Sequence, residues 1–91
     1  MPEFDYDRFK SLGNKLNHGT WLSEAPALWA DPRKLFARGK ARDGESRFYA
    51  LGLYQGKVWQ AVFTLRAGRY RIISFHRANR QKRDAYYRGR V

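Results

Sequence analysis

Apolar and polar positions follow two different periods along this chain, and the change comes near residue 34. Phe4 and Tyr6 flank Asp5, the alternation of a short strand. From Arg8 to Asn17 the apolar residues Phe9, Leu12 and Leu16 recur at helical spacing. Asp7 is placed to cap that helix and Gly19 to end it in the left-handed conformation. Ala25, Leu28 and Trp29 share a face of a second short helix, capped by Thr20 or Ser23. Pro26 fits it only within the first turn, and Asp31-Pro32 ends it. Joined by a short turn, the two helices are expected to fold back on one another.

Beyond Lys34 the period becomes two. Leu35 to Arg38 is a weak strand, Gly39 to Ser46 a polar loop and Arg47 to Tyr54 a better strand. Tyr54-Gln55-Gly56-Lys57 reads as a tight hairpin turn. Val58 to Leu65 alternates cleanly, with Trp59, Ala61, Phe63 and Leu65 on one face. Ala67-Gly68 turns the chain into a last strand, Arg69 to Phe75; Asn79 then caps a helix from Arg80 to Arg88, ended by Gly89. The class predicted is α+β in one domain spanning residues 1–91: a strand, two helices, an antiparallel meander and a closing helix. The helices are expected against one sheet face, with the other face free.

Composition narrows the reading. The chain is 91 residues long, 43% hydrophobic and 16% aromatic, enough to form a core and too apolar for disorder over most of its length. No apolar run is long enough to span a membrane and none reads as a signal peptide, so a cytoplasmic location is expected. Without cysteine there is no disulfide framework, thiolate nucleophile or Cys-type zinc site. The net charge is +11, and it is lopsided. Residues 1–32 hold Arg8, Lys10 and Lys15 against five acids; residues 33–91 hold 16 basic residues against Asp43, Glu45 and Asp84. Such asymmetry marks a face for a polyanion.

The candidate chemistry follows by elimination. His18 and His76 stand in no metal-binding spacing, no phosphate-binding glycine motif occurs, and no serine has the context of a hydrolase nucleophile. No metal or cofactor is expected. What remains is phosphate chemistry in which RNA supplies its own 2′-hydroxyl nucleophile and the protein positions it, neutralises the phosphorane and moves protons. The planar fork of arginine suits the second task. His76, Arg77, Arg80, Arg83 and Tyr86 gather between the last strand and the last helix, although Tyr86 and Tyr87 serve packing equally well. His76 is the one residue of the basic segment whose unperturbed pKa, as a residue type, lies near neutrality. His18, beside Gly19, is expected to contact the last carbonyls of its helix.

These residues also resemble a known family. Asp7, Lys10, Asn14 and His18-Gly19 have the D-x2-K-x3-N-x3-H-G spacing of BrnT toxins. Glu24-Ala25 and Asp31-Pro32 fall at the second helix and the turn after it; Gly44-Glu45, Arg47-Phe48 and Ala50-Leu51-Gly52 resemble the family's G-E-x-R-F-x-A-L-G strand. Arg71-Ile72-Ile73-Ser74 with Arg77-Ala78 resembles its R-I-I-S-A-R-R-A signature, and Tyr86 closes the series. The chain departs from the pattern at Asn17, at Phe75 and His76, and at Lys82, where a glutamate would complete a capping box with Asn79. The resemblance implies a RelE-like fold and a ribonuclease toxin that arrests translation. It also implies a BrnA-like antitoxin that binds DNA and brings the complex to its operator.

On this reading Arg47, Arg77 and Arg80 clamp the scissile phosphate, His76 transfers protons and Tyr86 is the alternative acid. Lys57, Arg69, Arg71 and Arg83 supply sequence-independent RNA affinity. The parity Arg71 shares with Ile73 and Phe75 also allows it to edge the core. Another class stays open: a non-catalytic nucleic-acid-binding module, or a degenerate toxin, with Tyr49, Tyr54 and Tyr70 as stacking platforms.

Overall fold

The computed structural model describes residues 3–91; the first two residues of the expected 1–91 domain lie outside the described residues. The α+β class holds. Five strands, β1 (Phe4–Tyr6), β2 (Leu35–Arg38), β3 (Phe48–Tyr54), β4 (Lys57–Arg66) and β5 (Arg69–Arg77), form one sheet in the order β1-β5-β4-β3-β2. β1 runs parallel to β5, and every other pair is antiparallel. Three helices complete the fold: α1 (Arg8–His18), a 3-10 helix η1 (Leu22–Ala30) and α2 (Arg80–Arg88). None of the described helices is long and apolar enough to cross a membrane. The β3–β4 hairpin turns through Gln55 and Gly56, both at positive φ, the pairing that matches strand twist.

The second helix differs from its sequence reading. Pro26, fifth of its nine residues, has no N–H to donate and rules out a continuous α-helical ladder. The segment winds instead with three residues per turn, so Leu22, Ala25 and Leu28, spaced by three, line up and are buried completely. Its start is held by Glu24, whose carboxylate accepts the Trp21 N–H at 2.6 Å, and not by Thr20 or Ser23. The nine residues pack on Ala50, Trp59, Ala61, Phe63, Ile72 and Phe75 of the sheet.

The expectation that all helices share one face is overturned by the strand periodicity itself. Leu51 and Val58, adjacent to Ala50 and Trp59 in their strands, point the other way, and α2 covers them with Ala85 and Tyr86. The sheet is therefore sandwiched, η1 on one face and α2 on the other. A bulge decides Arg71. Val62 pairs with Ser74 but Phe63 pairs with Ile72, leaving Ile73 as an extra residue in β5. The bulge puts Ile72 and Phe75 in the same core and turns Arg71 to the opposite face, where it meets Asp5 at 2.8 Å. Arg71 thus does not edge the core.

α1 packs in an unexpected sense. Its inward residues are Ser11 and Asn14, while Phe9, Leu12 and Leu16 face outward, 84%, 46% and 77% exposed. The reason lies in β5, whose edge beyond Tyr6 has no strand partner. Asn14 fills that role: its Oδ1 accepts the Phe75 N–H at 3.0 Å and its Nδ2 donates to the Phe75 carbonyl at 2.6 Å. Ser11 Oγ likewise accepts the Leu22 N–H at 2.9 Å. Backbone groups that would be buried and unpaired select polar residues on the inner side of this helix.

Candidate functional site

A groove of about 520 Å³ opens on the α2 face of the sheet, between the N-terminal half of α2 and the 39–47 loop. Gln60 and Val62 of β4 and Tyr49 of β3 form its floor, and Lys40, Arg42, Arg47 and Lys82 surround it. Period-two alternation places these floor side chains together: Tyr49 and Val62 are cross-strand partners, and Gln60 pairs with His76 of β5 on its far side. His76 therefore stands at the end of the floor. It lies within β5, which runs two residues past the end expected at Phe75, and so has a defined face.

No acid lines this groove. The acidic side chains are largely engaged elsewhere. Glu3 pairs with Arg69 and Glu45 with Arg66, each at 3.0 Å. Asp7 caps α1 by accepting from the Phe9 and Lys10 N–H groups. Glu24 accepts from Trp21 and from the Tyr54 hydroxyl. Asp31 accepts from the Arg33 and Leu53 N–H groups, each at 2.8 Å, and from the Tyr86 hydroxyl at 2.5 Å. Glu45 is held low by Arg66 and in part by the charge of Arg47, so the cations around Tyr49 outnumber the acid that offsets them. The Arg47 Nε is buried without a partner among the described residues, and the Lys82 ammonium lies 4.0 Å over the Tyr49 ring.

The residues singled out in the sequence divide into several groups. Arg47 lines the groove and His76 ends it; Arg80, the first residue of α2, is exposed just beyond. Arg77 shares the parity of Phe75 and pairs with Trp59, so it belongs to the η1 face and is turned away from the groove. Arg83 is occupied structurally: its Nη1 donates to the Ala78 carbonyl at 2.9 Å and fixes the strand–helix junction. Arg71 and Arg69 are spent on Asp5 and Glu3, and Lys57 lies at the hairpin, exposed. Tyr86 cannot serve as the alternative acid. It is 1% exposed, and burial, with the neighbouring Asp31 carboxylate, pushes its hydroxyl up to about 12. Of the stacking candidates only Tyr49 faces the groove; Tyr54 and Tyr70 pack against the η1-side core.

Distances limit the clamp. Arg47 lies four residues before Leu51, whose row runs through Gln60 to His76. At ~3.4 Å per residue and ~4.8 Å per strand, the backbones of Arg47 and His76 are roughly 17 Å apart. The two therefore stand well apart along the groove floor.

One residue escaped the sequence reading. His18 does not contact the carbonyls ending its helix; the Lys15 ammonium donates to the Gly19 carbonyl instead, at 3.0 Å. The His18 ring sits beside His76, centroids 5.3 Å apart. Burial, and then the charge of His76, hold His18 below its ordinary value. Nothing in the sequence links two histidines in different elements; the α1–β5 clamp brings them together.

Among known families, the model described as the ribonuclease toxin, BrnT, of type II toxin–antitoxin systems matches residues 6–82 of this chain. Comparison with the curated proteins gives no match. The matched stretch runs from β1 to the first turn of α2, and so includes both histidines and every residue lining the groove.

Proposed function

The chain belongs to the BrnT family of type II toxin–antitoxin ribonuclease toxins, and from that premise we propose that it cleaves single-stranded RNA laid along the groove on the α2 face. The observation supporting this is the groove itself, which gathers Lys40, Arg42, Arg47 and Lys82 around Tyr49 with no acid in its lining. Phosphates on either side of the cleaved bond meet these cations, a base stacks on Tyr49, and the strand passes over Gln60 to His76 and Arg80. Arg80 faces the scissile phosphate; Arg47, roughly 17 Å from His76 at the backbone, holds a phosphate further along. His76 transfers a proton while the RNA 2′-hydroxyl attacks phosphorus, leaving a 2′,3′-cyclic phosphate and a 5′-hydroxyl. The chemistry asks for no metal, since the RNA supplies its own nucleophile.

In this reading residues 1–91 act as one RelE-like domain in the cytoplasm, the sheet presenting its α2 face to RNA. The antitoxin that the family implies is BrnA-like and takes the complex to operator DNA. Phe9, Leu12 and Leu16 offer it an apolar seat on α1, a helix with Arg8, Lys10 and Lys15 and no acid. That rim selects an acidic amphipathic segment and disfavours a second copy of a chain charged +11. A Phe9→Ser/Leu16→Ser variant is expected to escape neutralisation by the antitoxin while cleaving RNA as before; unchanged neutralisation sinks this seat.

The deciding experiment incubates the protein with total RNA and a defined single-stranded RNA in EDTA. Cleavage with 2′,3′-cyclic ends, lost in Arg80→Ala while RNA affinity stays within a few-fold, is the expected result. Loss of affinity in proportion to loss of cleavage would favour the binding-module reading. No cleavage, with or without ribosomes, would remove the catalytic reading of the groove.

A further inference from the structure

The two histidines of the chain arrive side by side from separate elements, and one interaction fixes both. His18 ends α1, whose last turn is closed by Gly19 at φ 80°. Asn14, one turn earlier, clamps the N–H and carbonyl of Phe75, and His76 is the next residue of β5. The clamp that docks α1 on the open strand edge therefore also sets the 5.3 Å between the ring centroids. Three other polar side chains of α1 have backbone partners: Ser11 accepts from Leu22, Asn14 holds Phe75 and Lys15 donates to Gly19. The His18 side chain has no hydrogen bond among the described residues, and none links its ring to that of His76.

The rings are not equivalent. His76 Nδ1 lies 3.0 Å from the Arg77 carbonyl oxygen. A carbonyl only accepts, so Nδ1 carries the hydrogen and Nε2 is the free nitrogen. Held in this way, the His76 ring has a fixed orientation and presents Nε2 as its available nitrogen. His18, without such an acceptor, is held in its neutral form by partial burial and by the charge beside it.

We propose that His18 and His76 are the acid–base pair of RNA cleavage, His18 taking the proton of the 2′-hydroxyl and His76 delivering one from Nε2 to the departing 5′ oxygen. This rests on the ribonuclease reading of the groove. The bond from the 2′ oxygen to phosphorus forms as the bond to the 5′ oxygen breaks, giving the cyclic phosphate and a 5′-hydroxyl. One proton has entered His18 and one has left His76, so the charge of the pair is unchanged. Exchange with water resets it. Two positive charges on rings 5.3 Å apart repel, which disfavours the doubly protonated pair.

The test uses the full chain and a single-stranded RNA with a 5′-bridging sulfur at the mapped cleavage position. Sulfur leaves as a thiolate without protonation, so it bypasses the acid and not the base. With ordinary RNA, His18→Ala and His76→Ala are each expected to slow cleavage ~10²–10⁴-fold with RNA affinity little changed. The sulfur substrate should restore most of the loss in His76→Ala and none in His18→Ala. Rescue of both variants or of neither overturns the assignment of roles. His18→Gln keeps a polar side chain at the helix end; a folded His18→Gln protein cleaving at the wild-type rate overturns the pair altogether. Absence of cleavage by the unsubstituted protein instead overturns the ribonuclease reading on which the pair rests.

Discussion

At the scale of single residues, identity and burial together decide what a side chain can do. Tyr86 follows a run of basic residues and reads from sequence as a proton donor. In the fold its hydroxyl is shut between α2 and the turn after η1 and donates to Asp31. Burial alone would raise the Asp31 carboxyl; the bonds from Tyr86, Leu53 and Arg33 outweigh it and hold that group low. The folded protein thus retains the Tyr86 proton up to about pH 12, whereas the unfolded chain releases it near 10. Stability from this group is complete below pH 10 and is lost as pH rises through about 12. Urea unfolding from pH 9 upward should show a loss that is smaller in Tyr86→Phe. Asn14 is the second case. Asn14→Ala leaves the Phe75 N–H buried without a partner and takes one of two donors from its carbonyl, and should cost about 2–3 kcal/mol by urea denaturation. A cost under about 0.5 kcal/mol, the range of surface substitutions, would show that water replaces the clamp.

At the scale of elements, the strands read well because period two is short and each face has its own core. Leu51 and Val58 pack under α2 and Ala50 and Trp59 under η1, whereas the sequence reading expected one covered face and one free, because the alternation does not say which helix covers which face. The sense of α1 was also hidden, since its apolar stripe is a correct helical pattern pointing outward. Its inner side is dictated by the open edge of β5, which exists only once β1 has stopped at Tyr6. The bulge at Ile73 is of the same kind: it depends on pairing with β4 and reverses every parity argument about Arg71. η1 approaches β3 closely over Gly52, where an added Cβ would lie 3.3 Å from the Leu28 Cβ, Cδ2 and carbonyl oxygen. Backbone cannot yield as a side-chain tip does, so Gly52→Ala should destabilise by about 1–2 kcal/mol, read by thermal or urea unfolding.

At the scale of the molecule, a charge of +11 becomes a directed surface because most acids are engaged away from the groove. Each groove cation contacting phosphate should contribute to the salt dependence of binding. Arg47→Ala and Lys82→Ala are each expected to lower the slope of log affinity against log salt by about 0.7, the single-strand value, while Lys57→Ala changes it little. Equal effects at all three positions would mean that RNA is attracted by the whole molecule and not held along the groove.

The sequence by itself determined the α+β class, the five strands and three helices in order, the caps at Asp7, Asn79 and Gly89, the basic surface and the BrnT resemblance. All of these rest on neighbours within a few residues, on composition or on motif spacing. Only the tertiary structure decided that α2 lies across the face opposite η1, that Arg77 is turned from the groove, that Arg71 and Tyr86 are occupied, and that His18 meets His76. Each of these depends on a partner far away in the chain, through strand pairing, a bulge or a buried backbone group requiring a hydrogen bond, and no local pattern encodes which distant residue will supply it.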